Sequence, residues 1–190
     1  MVERLHQDRA VLIVVDLQEK FLPVLYEPDR LVERAVLLIK GLKVLKVPML
    51  VTEQSPEKLG LTVEPVREAL GDFYRPISKT SFSPLGSDEF RRALAALRRD
   101  QILYCGIEAH VCVLQGVLQA LAMGYKVFVV QDALSSRFPE EISIAVSRMS
   151  SAGAVVVSTE MVLYELLQGA DHPAFREVQS LIKESARAHR

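Results

Sequence analysis

Between Ile102 and Gln115 the chain passes from one kind of secondary structure to another with almost no room for a loop. Residues 102–105 (Ile-Leu-Tyr-Cys) are apolar and include a β-branched and an aromatic side chain, so they read as a short buried strand that ends at Gly106. From about His110 the apolar residues Val111, Leu114, Leu118 and Leu121 recur at helical spacing, and the helix they predict runs to Met123, where Gly124 ends it. A strand that feeds a helix directly is a building block of α/β folds. Cys112 falls in the first turn of this predicted helix.

The rest of the chain repeats the unit. Residues 11–15 (Val-Leu-Ile-Val-Val) form a continuous apolar run, as in a strand buried on both faces of a parallel sheet. Further strands are predicted at 47–52, 73–78, 126–131 and 154–158. Helices are predicted at 29–45, 63–70, 87–97 (Ser87 as N-cap), 139–152, 159–167 and 173–188. The alternation predicts a single α/β domain over residues 1–190, built on a six-stranded, mainly parallel sheet.

Composition narrows the function. Lysines and arginines number 23 against 24 acidic residues, a net charge of −1, which gives no sign of a nucleic-acid-binding face. Two cysteines in 190 residues do not make a disulfide framework. The apolar run 10–15 is too short for a signal-peptide core or a membrane span, so a soluble cytoplasmic protein is expected, with no membrane partner.

In a parallel sheet, sites form at the carboxyl ends of strands, where the strand order reverses. Asp16, Lys79 and the Cys112 turn all lie just past predicted strand ends. A first helical turn presents free N–H groups and a positive dipole end, which favour a thiolate and can hold an oxyanion. Cys112 is then either a small buried hydrophobe or a nucleophile. As a nucleophile it makes a coherent set with the others: Asp16 accepts the thiol proton, and Lys79 favours the thiolate. His110 is two residues away and does not face Cys112 on a helix, so it reads as a substrate-side or capping residue. Cys105, on the strand, reads as core.

The segments Val14-Val-Asp-Leu-Gln18, Thr52-Glu-Gln54, Lys79-Thr-Ser-Phe-Ser83 and Gly106-Ile-Glu-Ala-His-Val-Cys-Val113 resemble, in order and spacing, those of the isochorismatase-like cysteine hydrolases. The resemblance covers most of the chain, and the likeness is closest to the uncharacterised isochorismatase-domain proteins. It implies a Rossmann-like three-layer α/β/α fold, a homo-oligomer, and an Asp16–Lys79–Cys112 triad acting on a small-molecule substrate. It also implies a cis peptide at Ile107–Glu108 and an oxyanion site made by the backbone N–H groups of Glu108 and Cys112. Gln18, Phe21, Gln54, Phe82 and His110 are its pocket candidates.

Two departures stand out. The nicotinamidase branch carries an Asp-x-His-x-x-His metal site after the second strand, whereas residues 52–58 here read Thr-Glu-Gln-Ser-Pro-Glu-Lys, and no histidine lies between His6 and His110. No metal and no other cofactor is therefore expected. The namesake branch cleaves a vinyl ether without a cysteine nucleophile, so Cys112 points away from it. The resulting expectation is a metal-independent hydrolase of a small amide-like C–N bond that works through a thioester. The alternative is a redox-sensitive or ligand-binding protein whose Cys112 reacts without turnover. The apolar residues Phe175, Val178, Leu181 and Ile182 of the last helix either pack on their own sheet or are shared with another subunit.

Overall fold

The computed structural model describes residues 4–188. Six strands form one sheet: β1 (Ala10–Val15), β2 (Met49–Gln54), β3 (Ile77–Lys79), β4 (Gln101–Gly106), β5 (Lys126–Leu134) and β6 (Val155–Val157). Their spatial order is β3-β2-β1-β4-β5-β6, and every neighbouring pair is parallel. The chain starts in the middle of the sheet, builds outward to β3, returns to place β4 beside β1, and builds outward the other way. The order therefore reverses between β1 and β4, the place where sites form in parallel sheets of this kind.

Helices α1 (Pro28–Val44), α2 (Pro56–Leu59), α3 (Glu64–Leu70), α4 (Asp88–Ala96), α5 (Leu114–Ala122), α6 (Pro139–Ser151), α7 (Thr159–Leu167) and α8 (Phe175–Ala188) complete the chain. They divide between the two faces of the sheet. Leu12 and Val14 of β1 pack in a core with Leu38 of α1, Val66 of α3, Val162 of α7 and Val178 of α8. Val11, Ile13 and Val15 pack in another with Phe90 of α4, Val117 of α5 and Met149 of α6. All six residues of β1 are buried, because period-two alternation sends successive side chains into two different cores. The result is the Rossmann-like three-layer α/β/α architecture.

Several elements differ from those the sequence predicts, and the second strand, predicted at 47–52, covers Met49–Gln54. The third strand covers only Ile77–Lys79, because Gly71–Phe73 forms a 3-10 turn and Pro76, lacking an N–H, cannot extend the ladder. The fifth strand runs on to Leu134, with a register shift against Tyr104 and Gly106. A short helix, α2, stands between β2 and α3, where no element is predicted. The apolar face of the last helix serves its own core: Val178 and Ile182 are buried, and Phe175 and Leu181 pack against them.

Candidate active site

The register of β1 and β4 brings Val15 opposite Gly106, so Asp16 and the turn that carries Cys112 leave the sheet side by side. The register of β2 and β3 brings Gln54 opposite Lys79 on the other flank of Asp16. Strand pairing alone thus gathers groups that are far apart in sequence.

Asp16 is 1% exposed and has a φ of 50°. A non-glycine residue in that left-handed region costs about 1–3 kcal/mol and persists where its surroundings enforce it. Here the enforcement is visible. The Asp16 N–H donates to the Thr52 carbonyl at 3.2 Å. Asp16 Oδ1 accepts the Thr52 hydroxyl at 2.7 Å, and Oδ2 accepts Lys79 Nζ at 2.6 Å. Thr52 lies two residues before Gln54 and so on the same side of β2. In the sequence it is marked only as part of the Thr52-Glu-Gln54 segment of the resemblance, since threonine is ordinary in strands.

Lys79 is buried with a side-chain exposure of 0%. Besides Asp16 it donates to Gln54 Oε1 at 2.7 Å and to the carbonyls of Phe82 at 3.0 Å and Ser81 at 3.2 Å. A buried ion pair is retained only when its remaining hydrogen-bonding capacity is met, and the loop after β3 meets it.

Cys112 lies in a π-helical turn, Ala109–Val113, that precedes α5, where an ordinary α-helical first turn was expected. The Val113 N–H reaches back five residues to the Glu108 carbonyl at 3.2 Å. Such wide turns occur often at functional sites. The thiol is 5% exposed. The expectation that its surroundings depress its pKa is overturned. Burial, reinforced by the negative charge of Asp16, pushes the Cys112 thiol up to about 12, and the opposing pull of Lys79 is smaller. Burial also raises the Asp16 carboxyl above its ordinary value, against Lys79 and Thr52. The resting thiol is thus neutral, beside the buried Asp16–Lys79 pair. Cys105 faces the opposite core, and burial raises its thiol as well.

The Ile107–Glu108 peptide is cis. Among the described residues the Glu108 N–H has no hydrogen-bond partner. The Glu108 carboxylate accepts Arg137 Nε at 3.0 Å. The end of β5 braces this turn: the Ala109 N–H donates to the Ser135 carbonyl at 2.9 Å, and His110 Nδ1 lies 2.9 Å from the buried Ser136 hydroxyl. The same two serines hold Tyr26 of the loop after β1, through Ser135 Oγ to the Tyr26 carbonyl and the Tyr26 N–H to the Ser136 carbonyl. Small hydroxyl residues in a strand-to-helix loop give no sequence signal for this bracing role.

The pocket candidates fall in different places. Phe82 is 54% exposed beside the Lys79 loop, and His110 is half-buried next to the Cys112 turn. Phe21 packs against the edge of the core shared with α1. Gln18 is fully buried, and its amide bonds to main-chain groups of Gln54 and Gly60. Glu53, beside the position of the histidine site in the nicotinamidase branch, is tied through Oε1 to the Thr62 N–H, the Thr62 hydroxyl and the Tyr74 hydroxyl, each at 2.8 Å. Among the described residues no three His, Cys, Asp or Glu side chains gather as a metal-binding group. A cavity of about 440 Å³ beside β5 and β6 and one of about 280 Å³ behind Lys79 are not lined by Asp16 or Cys112.

The chain as a whole is similar to known proteins. Residues 10–161 match the family model described as the Isochorismatase domain. The isochorismatase domain-containing protein 2A of Mus musculus is 38% identical over 181 residues, covering 95% of this chain and 86% of that protein. The secreted isochorismatase effector Isc1 of Phytophthora sojae is 35% identical over 184 residues, covering 95% of this chain and 88% of its own. A solved structure of the MAR1 ribonuclease from Caenorhabditis elegans superposes with a TM-score of 0.89 at 37% identity, over 95% of this chain and 93% of that one. The chain belongs to the isochorismatase family and carries its three-layer α/β fold.

Proposed function

We propose that this single-domain protein hydrolyses a small amide-like C–N bond by covalent catalysis at Cys112, without a metal or other cofactor. The observation that carries the reading is the buried Asp16–Lys79 ion pair set beside the thiol. A thiol held neutral needs a base within reach, and Asp16 is that base. Cys112 Sγ attacks the carbonyl carbon while its proton passes to Asp16. The developing oxyanion rests on the N–H groups of Glu108 and Cys112. As the tetrahedral centre collapses, Asp16 returns the proton to the leaving nitrogen, which departs as ammonia or an amine. A water molecule then adds to the thioester with Asp16 as base. The acid leaves, and the proton on Asp16 restores the thiol. Lys79 keeps Asp16 anionic at the two stages where it must accept a proton. Phe82, Phe21, Gln54 and His110 border the space where a substrate would sit.

The nematode relative is named a ribonuclease. For this chain, a net charge of −1 and a nucleophile that is 5% exposed support a small molecule over a nucleic acid. A raised thiol pKa disfavours the alternative of a redox-reactive cysteine, because oxidation follows thiolate character. Two free cysteines suit a reducing compartment such as the cytoplasm. No helix among the described residues is long and apolar enough to cross a membrane. Phe138 and Ile144, each 62% exposed, and Met161 at 54% support assembly into a homo-oligomer.

The test is ammonia or amine release from a panel of small primary and secondary amides, with intact-mass detection of an acyl adduct on Cys112. Turnover is expected with at least one amide and is expected to vanish in Cys112→Ala. Release that survives Cys112→Ala, or a panel with no turnover at all, would sink the reading.

A further inference from the structure

Two glutamines are wired into the ends of β1 and β2, and from their bonds we infer that Gln54 is a positioning residue. It sets the orientation of Lys79, and through Lys79 the state of Asp16. The inference rests on the cysteine-hydrolase reading above.

An ammonium carries three protons. Lys79 Nζ has four oxygen acceptors: Asp16 Oδ2 at 2.6 Å, Gln54 Oε1 at 2.7 Å, and the carbonyls of Phe82 at 3.0 Å and Ser81 at 3.2 Å. The two shortest contacts are the two side chains, so the ammonium is suspended between Asp16 and Gln54, with the longer carbonyl bonds completing its shell. Of the four acceptors only Asp16 is charged. A neutral amide at position 54 can orient Lys79 without competing for its charge.

The Gln54 amide has one workable orientation. Its Oε1 faces Nζ, which only donates, and its Nε2 donates to the Thr80 carbonyl at 2.9 Å. Turning the amide over would set donor against donor at one end and oxygen against oxygen at the other. The main chain beneath it is held as firmly. The Gln54 N–H donates to Gln18 Oε1 at 2.7 Å, and Gln18 Nε2 donates to the Gln54 carbonyl at 3.1 Å and to the Gly60 carbonyl at 2.7 Å. The Gln18 side chain thus meets both hydrogen-bonding groups of Gln54, as a neighbouring strand would, just past the point where β1 ends. Gln18 is 0% exposed, so this clamp has no slack. The chain of constraint runs from Gln18 to the Gln54 main chain, from the Gln54 side chain to Lys79, and from Lys79 to Asp16.

The test uses Gln54→Met and Gln54→Glu in the full-length protein, with two readouts that need no substrate. One is the Lys79 ammonium signal in proton–nitrogen NMR, assigned with Lys79→Arg. The other is the pH profile of Cys112 alkylation by iodoacetamide. The wild-type ammonium is expected to exchange slowly enough to be seen near neutral pH. Gln54→Met should lose that signal and move the alkylation profile up by about one pH unit, a tenfold slower reaction at a given pH. Gln54→Glu should keep the signal, because an acceptor remains. It should still move the profile upward, because a second carboxylate now draws on Lys79 and opposes the thiolate. A folded Gln54→Met protein with the wild-type signal and profile overturns the inference. If Gln54→Met does not fold, an unshifted profile in Gln54→Glu overturns it. If both readouts behave as expected while no amide is hydrolysed, the positioning role stands and the hydrolase reading falls.

Discussion

Gly106 passes Val15 so closely that a methyl carbon added at position 106 would lie 2.1 Å from the Val15 carbonyl oxygen. That oxygen cannot retreat, since it accepts the Ile107 N–H at 2.9 Å. Gly106 also has a φ of +114°, which side-chain-bearing residues rarely adopt. The contact sets how near Asp16 comes to the Cys112 turn. Gly106→Ala is therefore expected to lower stability by at least about 2–3 kcal/mol, read as a reduced urea midpoint. A midpoint within error of wild type would show that the two strands have room to part.

Lys79→Met leaves the Asp16 carboxyl buried without its cation. The expected loss is about 3–5 kcal/mol at neutral pH. The sign with pH follows from the raised Asp16 pKa, which rises further without Lys79. The folded variant holds the proton more tightly than the unfolded chain does. Its stability is therefore greatest below the ordinary carboxylate range and falls as pH rises through that range towards the raised value. Urea midpoints at several pH values should show the variant closest to wild type in acid. A deficit that grows in acid would contradict the buried pair.

Thiol reactivity separates the two cysteines. With the Cys112 thiol pushed up to about 12, iodoacetamide should label it slowly near neutral pH, and the rate should climb about tenfold per pH unit on the alkaline side. Asp16→Asn removes a charge that opposes the thiolate and frees Lys79 to face it, so labelling should speed up while hydrolysis is lost. Lys79→Ala should slow labelling. Cys105, 0% exposed and raised by burial, should react last. Rapid labelling of wild-type Cys112 at neutral pH would contradict this ordering.

Assembly is testable by light scattering. A solution mass that is a multiple of 21.2 kDa is expected, and a monomer across a broad concentration range would remove oligomerisation from the proposal. Val178 and Ile182 of α8 are buried within the chain and do not contribute to this contact.

Much of the fold was legible because burial writes itself into β1 and β4 as unbroken apolar runs, and into the helices as a 3.6-residue period. Strand order was not legible, since no residue of β1 announces which strand will pair with it. The site divides in the same way. Asp16 and Cys112 stood out as polar groups at the ends of apolar runs. Lys79 was marked mainly by resemblance, because an isolated lysine gives no sign of being buried. The π-helical turn was missed because Val111, Leu114, Leu118 and Leu121 fit an α-helical period, and one wider turn at its start does not disturb that pattern. The direction of the Cys112 shift was missed for a further reason. A helix start and a nearby cation are visible in sequence, whereas the depth of burial that outweighs them is a property of the assembled sheet.

The sheet that gathers the site also stands between the chain's two thiols. Cys105 belongs to the core under α1 and α7, and Cys112 to the core under α4, α5 and α6. These are the only cysteines in the sequence. If peroxide converts Cys112 to a sulfenic acid, no second thiol of the same chain can condense with it unless the strands separate. Disulfide formation at Cys112 then needs a thiol from outside, such as glutathione, and where none is present a second equivalent of peroxide takes the sulfenic acid on to the irreversible sulfinic acid.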